Sequence, residues 1–244
     1  AAFLGAKPLE PEESQTLTGG LVWRTDLGFS GSVDIYQIDV DQRFSTSSTV
    51  AVTPAIRAQL VALGVSGATA FTSVNWFTND FDTRTRGVDL VGAYTTAAGP
   101  GRLDLTAAYN YNETEVTSGR LSAGATQKRL CEEARPKHNL TGSATYAWGP
   151  LELTGRVRYY GKWTDSTGNA TGEIFQAFEG ITFFDASATY RVSEQLSVRL
   201  GAENLFDTYP DEAVFQASRG LVYSRNAPYD TNGGLYYLRV DASF

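Results

Sequence analysis

The sequence predicts an all-β protein, with antiparallel up-and-down strands that cross a membrane as part of a transmembrane β-barrel. Three observations predict this class. Nine segments alternate apolar and polar side chains with the two-residue period of a strand. Short and long connections take turns between the segments. Aromatic residues collect at both ends of the apolar stripes. Together these features are typical of a barrel whose outer face meets lipid.

Each segment has one apolar and one polar file of side chains. The nine segments are residues 15–24, 32–44, 87–95, 102–112, 139–148, 151–160, 183–192, 196–206 and 235–244. In the last one the apolar file contains Tyr236, Leu238, Val240, Ala242 and Phe244. In the second, Val33 and Ile35 are out of phase with the apolar residues that follow, so we expect a bulge or a twist within 32–44.

The connections predict a sheet with two different ends. Four are tight, around residues 26–31, 98–101, 149–150 and 193–195. They alternate with four long ones, about residues 45–80, 117–136, 163–181 and 207–233. Outer-membrane barrels have this asymmetry, with short periplasmic turns and long extracellular loops. We therefore expect the four long connections to be extracellular.

The apolar files end in aromatic residues at both edges. Those near the short turns are Trp23, Tyr94, Tyr146, Trp148, Tyr190 and Phe244, and those toward the long loops are Tyr109, Tyr111, Tyr159, Phe184 and Tyr236. Tyr and Trp favour a membrane interface because part of each side chain is apolar and part can be hydrated. A soluble sandwich or lipocalin-like barrel, with the apolar file turned inward, is the alternative. That alternative does not explain why aromatic residues lie at both ends of the apolar files.

Composition excludes several other classes. No stretch has the roughly 18 uninterrupted apolar residues of a membrane-spanning helix. A net charge of -7 argues against a nucleic-acid partner, and one Cys and one His leave no zinc cluster or internal disulfide framework. We expect no metal site and no cofactor. The sequence contains no Met and starts without a signal peptide, so we expect a piece of a longer chain.

The C-terminal part resembles TonB-dependent outer-membrane receptors of Gram-negative bacteria. The family motif Gly-x-x-Asn-Leu-Phe-Asp is matched by Gly201, Asn204, Leu205, Phe206 and Asp207. A last strand that ends in Phe is also typical of the family. The segments "FTNDFDTRTRGVDLVGAY" and "GFSGSVDIYQIDVDQRF" are similar to two of its barrel strands. The order of these short motifs along the chain makes the match specific.

The resemblance implies a fold and partners. Residues 1–244 would be about nine consecutive C-terminal strands of a 22-stranded barrel, with the plug domain and the earlier strands outside this sequence. Nine strands do not close a bacterial barrel, so we do not expect this piece to be stable alone in a membrane. The partners would be the inner-membrane TonB complex, acting through the absent N-terminal part, outer-membrane lipid and the barrel-assembly machinery. That machinery would recognise a signal formed by Tyr236, Leu238, Val240 and Phe244.

The resemblance also implies a function, namely energy-coupled uptake of a large, scarce nutrient such as a ferric siderophore, cobalamin or an oligosaccharide. A passive porin without a plug is the alternative. An outer-membrane lipase or protease would need a nucleophile beside a His base, and the one histidine, His138, lies at a strand start. We therefore expect no enzymatic activity.

Candidate ligand contacts lie in the loops and on the polar file. They are Trp76, Trp163 and Phe215 in the loops and Arg156, Arg158, Tyr160 and Arg199 on the strands. The aromatic residues could stack on a ligand or pack within the loops, and the arginines could bind a ligand or plug or pair with neighbouring strands. In the first long loop Thr53, Pro54 and Gly64 predict a helix with Ile56, Leu60 and Leu63 on one face.

Overall fold

A computed structural model describes residues 2–120, 124–166, 175–214 and 220–243. Its strands are β1 (Glu13–Arg24), β2 (Phe29–Thr46), β3 (Val50–Ala51), β4 (Ser73–Val74), β5 (Phe77–Ala98), β6 (Gly101–Gly119), β7 (His138–Trp148), β8 (Leu151–Tyr160), β9 (Trp163–Ser166), β10 (Phe175–Phe178), β11 (Ile181–Arg191), β12 (Leu196–Glu203) and β13 (Leu235–Ala242). Its helices are α1 (Pro54–Ala62), α2 (Ala125–Glu133) and a 3₁₀ turn at Ala2–Leu4. None of the helices in these ranges is long and apolar enough to cross a membrane.

The described strands form a nine-stranded sheet in the order β1-β2-β5-β6-β7-β8-β11-β12-β13. Where the register is given, from β6 to β13, every neighbouring pair is antiparallel. Two small hairpins, β3–β4 and β9–β10, lie within the connections. Each strand of the large sheet pairs with the next large strand in the sequence, which confirms the predicted up-and-down architecture.

The tight connections contain the residues that hairpins require. Gly99 and Gly149 have φ of 57° and 55°, and each is followed by a proline. Glycine with positive φ at the first central position, followed by a residue with φ near −65°, is the signature of a type II′ hairpin turn. The turn chemistry therefore fixes β5 against β6 and β7 against β8.

Strand register places the apolar file on one face of the sheet from β6 to β13. One row of directly opposed residues contains Leu103, Tyr146, Leu153, Ala188, Leu200 and Leu238. The next contains Leu105, Ala144, Gly155, Ala186, Ala202 and Tyr236. Leu200 is 63% and Leu238 is 68% exposed in this chain. A continuous apolar face of this size needs hydrocarbon to cover it, so it is the lipid-facing side.

The opposite face is polar and forms the luminal side. One of its rows contains Thr145, Thr154, Ser187, Gly201 and Tyr237. Hydroxyls bond across it: Thr106 Oγ1 lies 2.7 Å from Ser143 Oγ, and Thr145 Oγ1 lies 3.1 Å from Thr154 Oγ1. His138 lies on the other, apolar face, where its Nδ1 is 2.7 Å from the Tyr109 hydroxyl. It is a member of the aromatic edge near the long loops.

The irregularity expected within residues 32–44 lies at Gln42, which has a left-handed φ of 57°. The alternation is unbroken earlier in β2. A Cβ on Gly20 would meet the Asp34 side chain, and a Cβ on Gly87 would meet the Tyr36 ring, so Asp34 and Tyr36 share the luminal face. The apparent phase change after Ile35 therefore begins with Tyr36, an aromatic residue on the luminal face.

The chain divides into two compact units, and the first comprises Ala1–Thr16, Ile38–Thr85 and Thr114–Cys131. Its apolar cluster contains Val52, Leu60 and Ala68. The predicted helix is present as α1: Thr53 Oγ1 accepts from the backbone N–H of Ile56 at 3.3 Å, and Gly64 has φ of 70°. Leu60 is buried as predicted, but Leu63 is 63% exposed, because the helix ends before it and the C-cap residue no longer lies on the packed face.

The second unit comprises Leu17–Gln37, Arg86–Glu113 and Glu132–Phe244. It contains the whole of strands β7 to β13. Its apolar cluster consists of Trp163, Phe178, Ile181, Phe183, Ala213 and Tyr229. Trp163, Phe178, Ala213 and Tyr229 lie in the connections 161–180 and 204–234, and Ile181 and Phe183 lie at the start of β11. The core of the unit therefore lies at the end of the strands where these loops emerge.

The face assignment predicts opposite outcomes at two adjacent positions of β11. Ala188→Arg puts a charge between Leu153 and Leu200 on the lipid face, which costs about 2–4 kcal/mol at mid-membrane. Ser187→Arg, between Thr154 and Gly201 on the luminal face, can be hydrated and is expected to cost less than about 1 kcal/mol. Both are measured by reversible unfolding of the full-length barrel in lipid. Equal costs would show that the faces are assigned wrongly.

Candidate functional site

The luminal face of β8 and β11 is organised around one buried carboxylate. The Asp185 side chain is 7% exposed and accepts from two arginines on β8. Arg158 donates from Nε and Nη2, both at 2.9 Å, and Arg156 donates from Nε at 2.7 Å. The backbone N–H of Asn204 donates a further bond at 2.8 Å. A carboxylate that accepts four such bonds is well compensated for its burial.

The same carboxylate links the wall to the family motif. Asn204 follows β12 in a left-handed conformation, φ 49°. Its side-chain Nδ2 donates to the Thr208 carbonyl at 2.8 Å, and its Oδ1 accepts from the Thr208 N–H at 2.9 Å. A short amide side chain can both adopt this φ and pair with the backbone in this way. Asn204 therefore ends β12 in a fixed turn that starts the 204–234 connection.

The remaining motif residues have separate structural tasks. Gly201 lies beneath the Tyr237 ring, where a Cβ would come within 2.4 Å of it. Phe206 packs edge-to-face on Phe184, with ring centroids 5.4 Å apart. Asp207 Oδ1 accepts from the backbone N–H of Gly234 at 2.7 Å and so ties the start of the connection to its end. The motif thus pins β12 to β13 across the 204–234 connection.

Arg156 borders a luminal cavity of about 340 Å³, whose lining also includes Ser143, Thr154, Glu203 and Tyr237. The Arg156 side chain is 42% exposed, so part of its guanidinium is available beyond the bond to Asp185. The lining of this cavity provides one guanidinium, the two carboxylates of Asp185 and Glu203, and the four hydroxyls of Ser143, Thr154, Ser187 and Tyr237. A more apolar concavity of about 610 Å³, lined by Leu153, Ala186 and Leu200 among others, lies on the lipid face and serves no polar ligand.

Arg158 and Arg199 are held against their own wall. Arg158 is fully engaged with Asp185, and its guanidinium carbon lies 5.3 Å from the Phe183 ring centroid. Arg199 Nε donates to Thr189 Oγ1 at 2.9 Å, and Arg199 lies directly opposite Arg239. Both arginines contact neighbouring strands in this structure, and their role as ligand or plug contacts stays a prediction.

Trp163 is packed inside the loops. It is 3% exposed, and its ring stacks on Phe178 with centroids 4.7 Å apart and 15° between the planes. Its Nε1 donates to the Tyr229 hydroxyl at 3.1 Å. Tyr160 packs against the same cluster, 5.3 Å from the Tyr229 ring. Burial raises the pKa of the Tyr229 phenol, so this hydroxyl stays protonated well above neutral pH.

Trp76 and Phe215 are the remaining candidates for ligand contact. Trp76 belongs to the first unit, where its backbone N–H donates to Ser47 Oγ at 3.2 Å and its side chain is partly buried. Phe215 lies outside the described residues, as does Phe244 of the assembly signal. The rest of that signal, Tyr236, Leu238 and Val240, is on the lipid-facing side of β13 and 57–68% exposed.

Four central residues, Asp165, Phe183, Asp185 and Tyr229, were not predicted as site residues. Asp165 and Tyr229 become buried only through loop contacts, for which the local sequence gives no signal. Asp185 was on the predicted polar file, and Phe183, two positions earlier, shares its parity and carried a usable signal. An aromatic residue at a luminal position of a wall strand indicates that something covers it there.

Removal of the Asp185 carboxylate should destabilise the wall. Asp185→Asn removes the negative charge and one of the two acceptor oxygens that Arg156 and Arg158 share, and we expect the free energy of unfolding to fall by about 2–3 kcal/mol, reduced by the partial exposure of Arg156. Asp241→Asn is the matched control, because Asp241 pairs with Arg239 on the same face but is 49% exposed. We expect it to cost less than about 1 kcal/mol. Urea unfolding of the full-length barrel measures both, and equal losses would contradict a central role for Asp185.

Comparison with known proteins agrees with this architecture. The family model described as TonB dependent receptor-like, beta-barrel matches residues 1–205. A search of curated proteins finds no match.

Among solved structures, the chain is similar to the copper transporter OprC, with 22% identity, a TM-score of 0.64, and coverage of 97% of this chain and 32% of that one. It is similar to the pyoverdine outer membrane receptor FpvA from Pseudomonas aeruginosa PAO1, with 18% identity, a TM-score of 0.63, and coverage of 97% and 30%. It is also similar to the ferric-catecholate import receptor Fiu from E. coli K12, with 16% identity, a TM-score of 0.63, and coverage of 97% and 28%.

At these identities the solved structures describe the fold alone, and the chain spans about a third of their length. The family match covers most of the chain. Strand order, lipid-facing and luminal faces, and the Asn204 turn all fit a segment of barrel wall. The chain belongs to the TonB-dependent receptor β-barrel family, whose members lie in the outer membrane of Gram-negative bacteria.

Proposed function

We propose that this chain is the C-terminal part of the barrel of an outer-membrane importer that takes up a large, scarce nutrient. The observation that carries the proposal is the difference in polarity between the two faces of the sheet. Directly opposed rows are apolar toward lipid and polar toward the lumen across six consecutive strands, β6, β7, β8, β11, β12 and β13. A wall of this kind separates a bilayer from an aqueous passage.

The transport step is proposed to depend on the inner-membrane TonB complex. Family membership supports this part of the proposal, because the family is named for that dependence. The contact with TonB would be made by a plug domain in the same protein. The strand β13, with Tyr236, Leu238 and Val240 on its lipid-facing side, would be presented to the barrel-assembly machinery.

The cargo is proposed to be a ferric siderophore, cobalamin or an oligosaccharide. Similar solved proteins are named for copper, for pyoverdine and for ferric catecholates, so a metal chelate is the first class to test. The luminal groups of this chain suit an organic ligand shell. Arg156 offers a guanidinium to anionic oxygens, and Ser143, Thr154 and Tyr237 offer hydroxyls to polar atoms along the wall.

The decisive experiment compares uptake with and without TonB. The complete gene is expressed in a strain that lacks its own receptors, in otherwise identical TonB-positive and TonB-negative backgrounds. The cargoes are a ⁵⁵Fe-catecholate, a ⁵⁵Fe-hydroxamate, cobalamin and a labelled oligosaccharide, with a monosaccharide as a probe of passive diffusion. We expect at least one large cargo to accumulate only in TonB-positive cells, while binding to the cell surface is the same in both.

Two results would count against the proposal. Equal accumulation in both backgrounds, together with entry of the monosaccharide, would identify a passive porin. No binding and no accumulation of any cargo, with the protein present in the outer membrane at normal levels, would exclude these cargo classes.

A further inference from the structure

The lipid-facing side of β5, β6 and β7 changes in character toward the long connections. Hydrogen bonds on the luminal face give the register of β5 with β6, since Thr95 donates to Asp104 at 2.7 Å and Asn110 donates to Asp89 at 2.5 Å. Backbone pairing gives the register of β6 with β7. Taken toward the long connections, three successive lipid-facing rows are Leu90–Tyr109–Leu140, Val88–Tyr111–His138 and Arg86–Glu113. The rows pass from apolar to aromatic to charged, so the hydrocarbon ends at the Tyr111–His138 row.

The aromatic row is joined to the charged row by a hydrogen bond. The Tyr109 hydroxyl lies 2.7 Å from His138 Nδ1, and the rings of Tyr111 and His138 have centroids 5.0 Å apart. The Tyr111 hydroxyl donates to Glu113 Oε2 at 3.2 Å. The Glu113 carboxylate is therefore held in place from the membrane side.

Glu113 brings two cations together. Lys137 Nζ donates to Glu113 Oε1, and Arg86 on β5 attracts the same carboxylate. Arg86 Nε donates to Gln37 Oε1 at 3.0 Å, and its two Nη groups make no hydrogen bond within the residues that the structure describes. The side chains of Glu113 and Lys137 are 49% and 40% exposed. One carboxylate cannot neutralise two cations, so this row keeps a positive charge.

Further charges lie in the connection that precedes β7. Glu132, farther along that connection, also attracts Lys137. The exposed Arg135, between Glu132 and Lys137 in the sequence, supplies another cation. The charges nearest to the aromatic row are therefore the two cations that Glu113 holds.

A charged row at this level meets lipid headgroups. It lies at the membrane edge on the side where the long connections emerge, which is the outer side of an outer-membrane barrel. The outer leaflet of that membrane consists of glycolipids that carry phosphate groups. A guanidinium binds phosphate oxygens through paired hydrogen bonds, and an ammonium attracts them as a point charge. Charge complementarity therefore favours an anionic lipid headgroup as the occupant.

We propose that Arg86 and Lys137 bind one phosphate group of an outer-leaflet glycolipid, with Glu113 holding the two cations in position. The bound headgroup would lie beside the Tyr111–His138 row, and its acyl chains would cover the apolar rows beyond. This site is on the outer face of the wall and requires neither cargo nor TonB.

Lipid binding is measured by native mass spectrometry of the delipidated full-length protein. The probes are diphosphoryl lipid A and the same lipid after removal of its phosphates. We expect the phosphorylated lipid to bind about twentyfold more tightly, because only its phosphates can pair with Arg86 and Lys137. Inorganic phosphate in large excess should not displace it, because the free anion has no acyl chains to bury.

Two double variants compare this row with cations elsewhere. Arg86→Gln with Lys137→Gln should weaken binding of the phosphorylated lipid about twentyfold and leave binding of the dephosphorylated lipid unchanged. Arg102→Gln with Arg239→Gln is the matched control, because it removes the same charge from luminal side chains that are 66% and 63% exposed. It should change neither affinity. Arg86→Lys with Lys137→Arg keeps both charges and should retain most of the affinity.

Three results would overturn the proposal. Equal affinity of the parent protein for both lipids would show that phosphate is not recognised. Equal losses in the Gln variants of the row and of the control would show that net charge, and not this row, attracts the lipid. Displacement by inorganic phosphate would identify a site for a free anion instead of a lipid.

The single variants keep the proposal testable if the double Gln variant of the row does not fold. Arg86→Gln and Lys137→Gln are then measured separately, and each should weaken binding of the phosphorylated lipid about fivefold. An unchanged affinity in both would contradict the proposal.

Discussion

A lipid bilayer requires every backbone polar group that crosses it to be paired within the protein, and the rest of this structure depends on that constraint. Antiparallel strands meet it by bonding to their neighbours, and their side chains then alternate between two faces. In this chain the alternation is kept in register from β6 to β13, so that Leu200 lies opposite Leu238 and Ala188 opposite Leu153. A shift of one residue in any strand would move its apolar file into water and its charges into hydrocarbon.

The luminal face does not contact lipid, so it can carry charged residues. The Asp185 carboxylate on β11 accepts hydrogen bonds from two arginines of β8 and from the backbone of Asn204 after β12. These contacts join β8, β11 and β12 in addition to the backbone ladder. The contact with Asp185 also explains the family motif. Asn204 supplies the turn, and Asp207 closes the connection that the turn begins.

The apolar core of the loops and the wall are not independent of each other. The Phe183 ring lies under the Arg158 guanidinium on one side and against Tyr229 on the other. The charge cluster of the wall and the apolar core of the loops therefore meet at one residue. Tyr160 at the end of β8 and Ile181 at the start of β11 also lie in the wall and contact the loop core. The loops are therefore attached to the wall where the regular strands stop.

Whether a feature of this structure could be predicted from the sequence depends on how far apart the interacting residues are along the chain. The strands, the tight turns at Gly99 and Gly149, and helix α1 depend on residues within a few positions of each other, and local pattern predicted them. Helix α2 was missed because "ATQKRLCEE" has no clear apolar stripe. The Asp165–Ser224 tie spans 59 positions, and no periodicity predicts such a contact. Tyr160 and Phe183, two aromatic residues on polar files, were local signs of the loop core.

The central claim is that the two files of each strand face lipid and water, and a nitroxide scan along β11 tests it most directly. Single spin labels are placed at each position from 182 to 191 of the full-length protein in lipid vesicles, and relaxation by oxygen and by a water-soluble nickel chelate is measured. We expect oxygen accessibility to peak at Phe184, Ala186, Ala188 and Tyr190 and nickel accessibility to peak at Ser187 and Thr189. The opposite phase, or no two-residue period, would contradict the account.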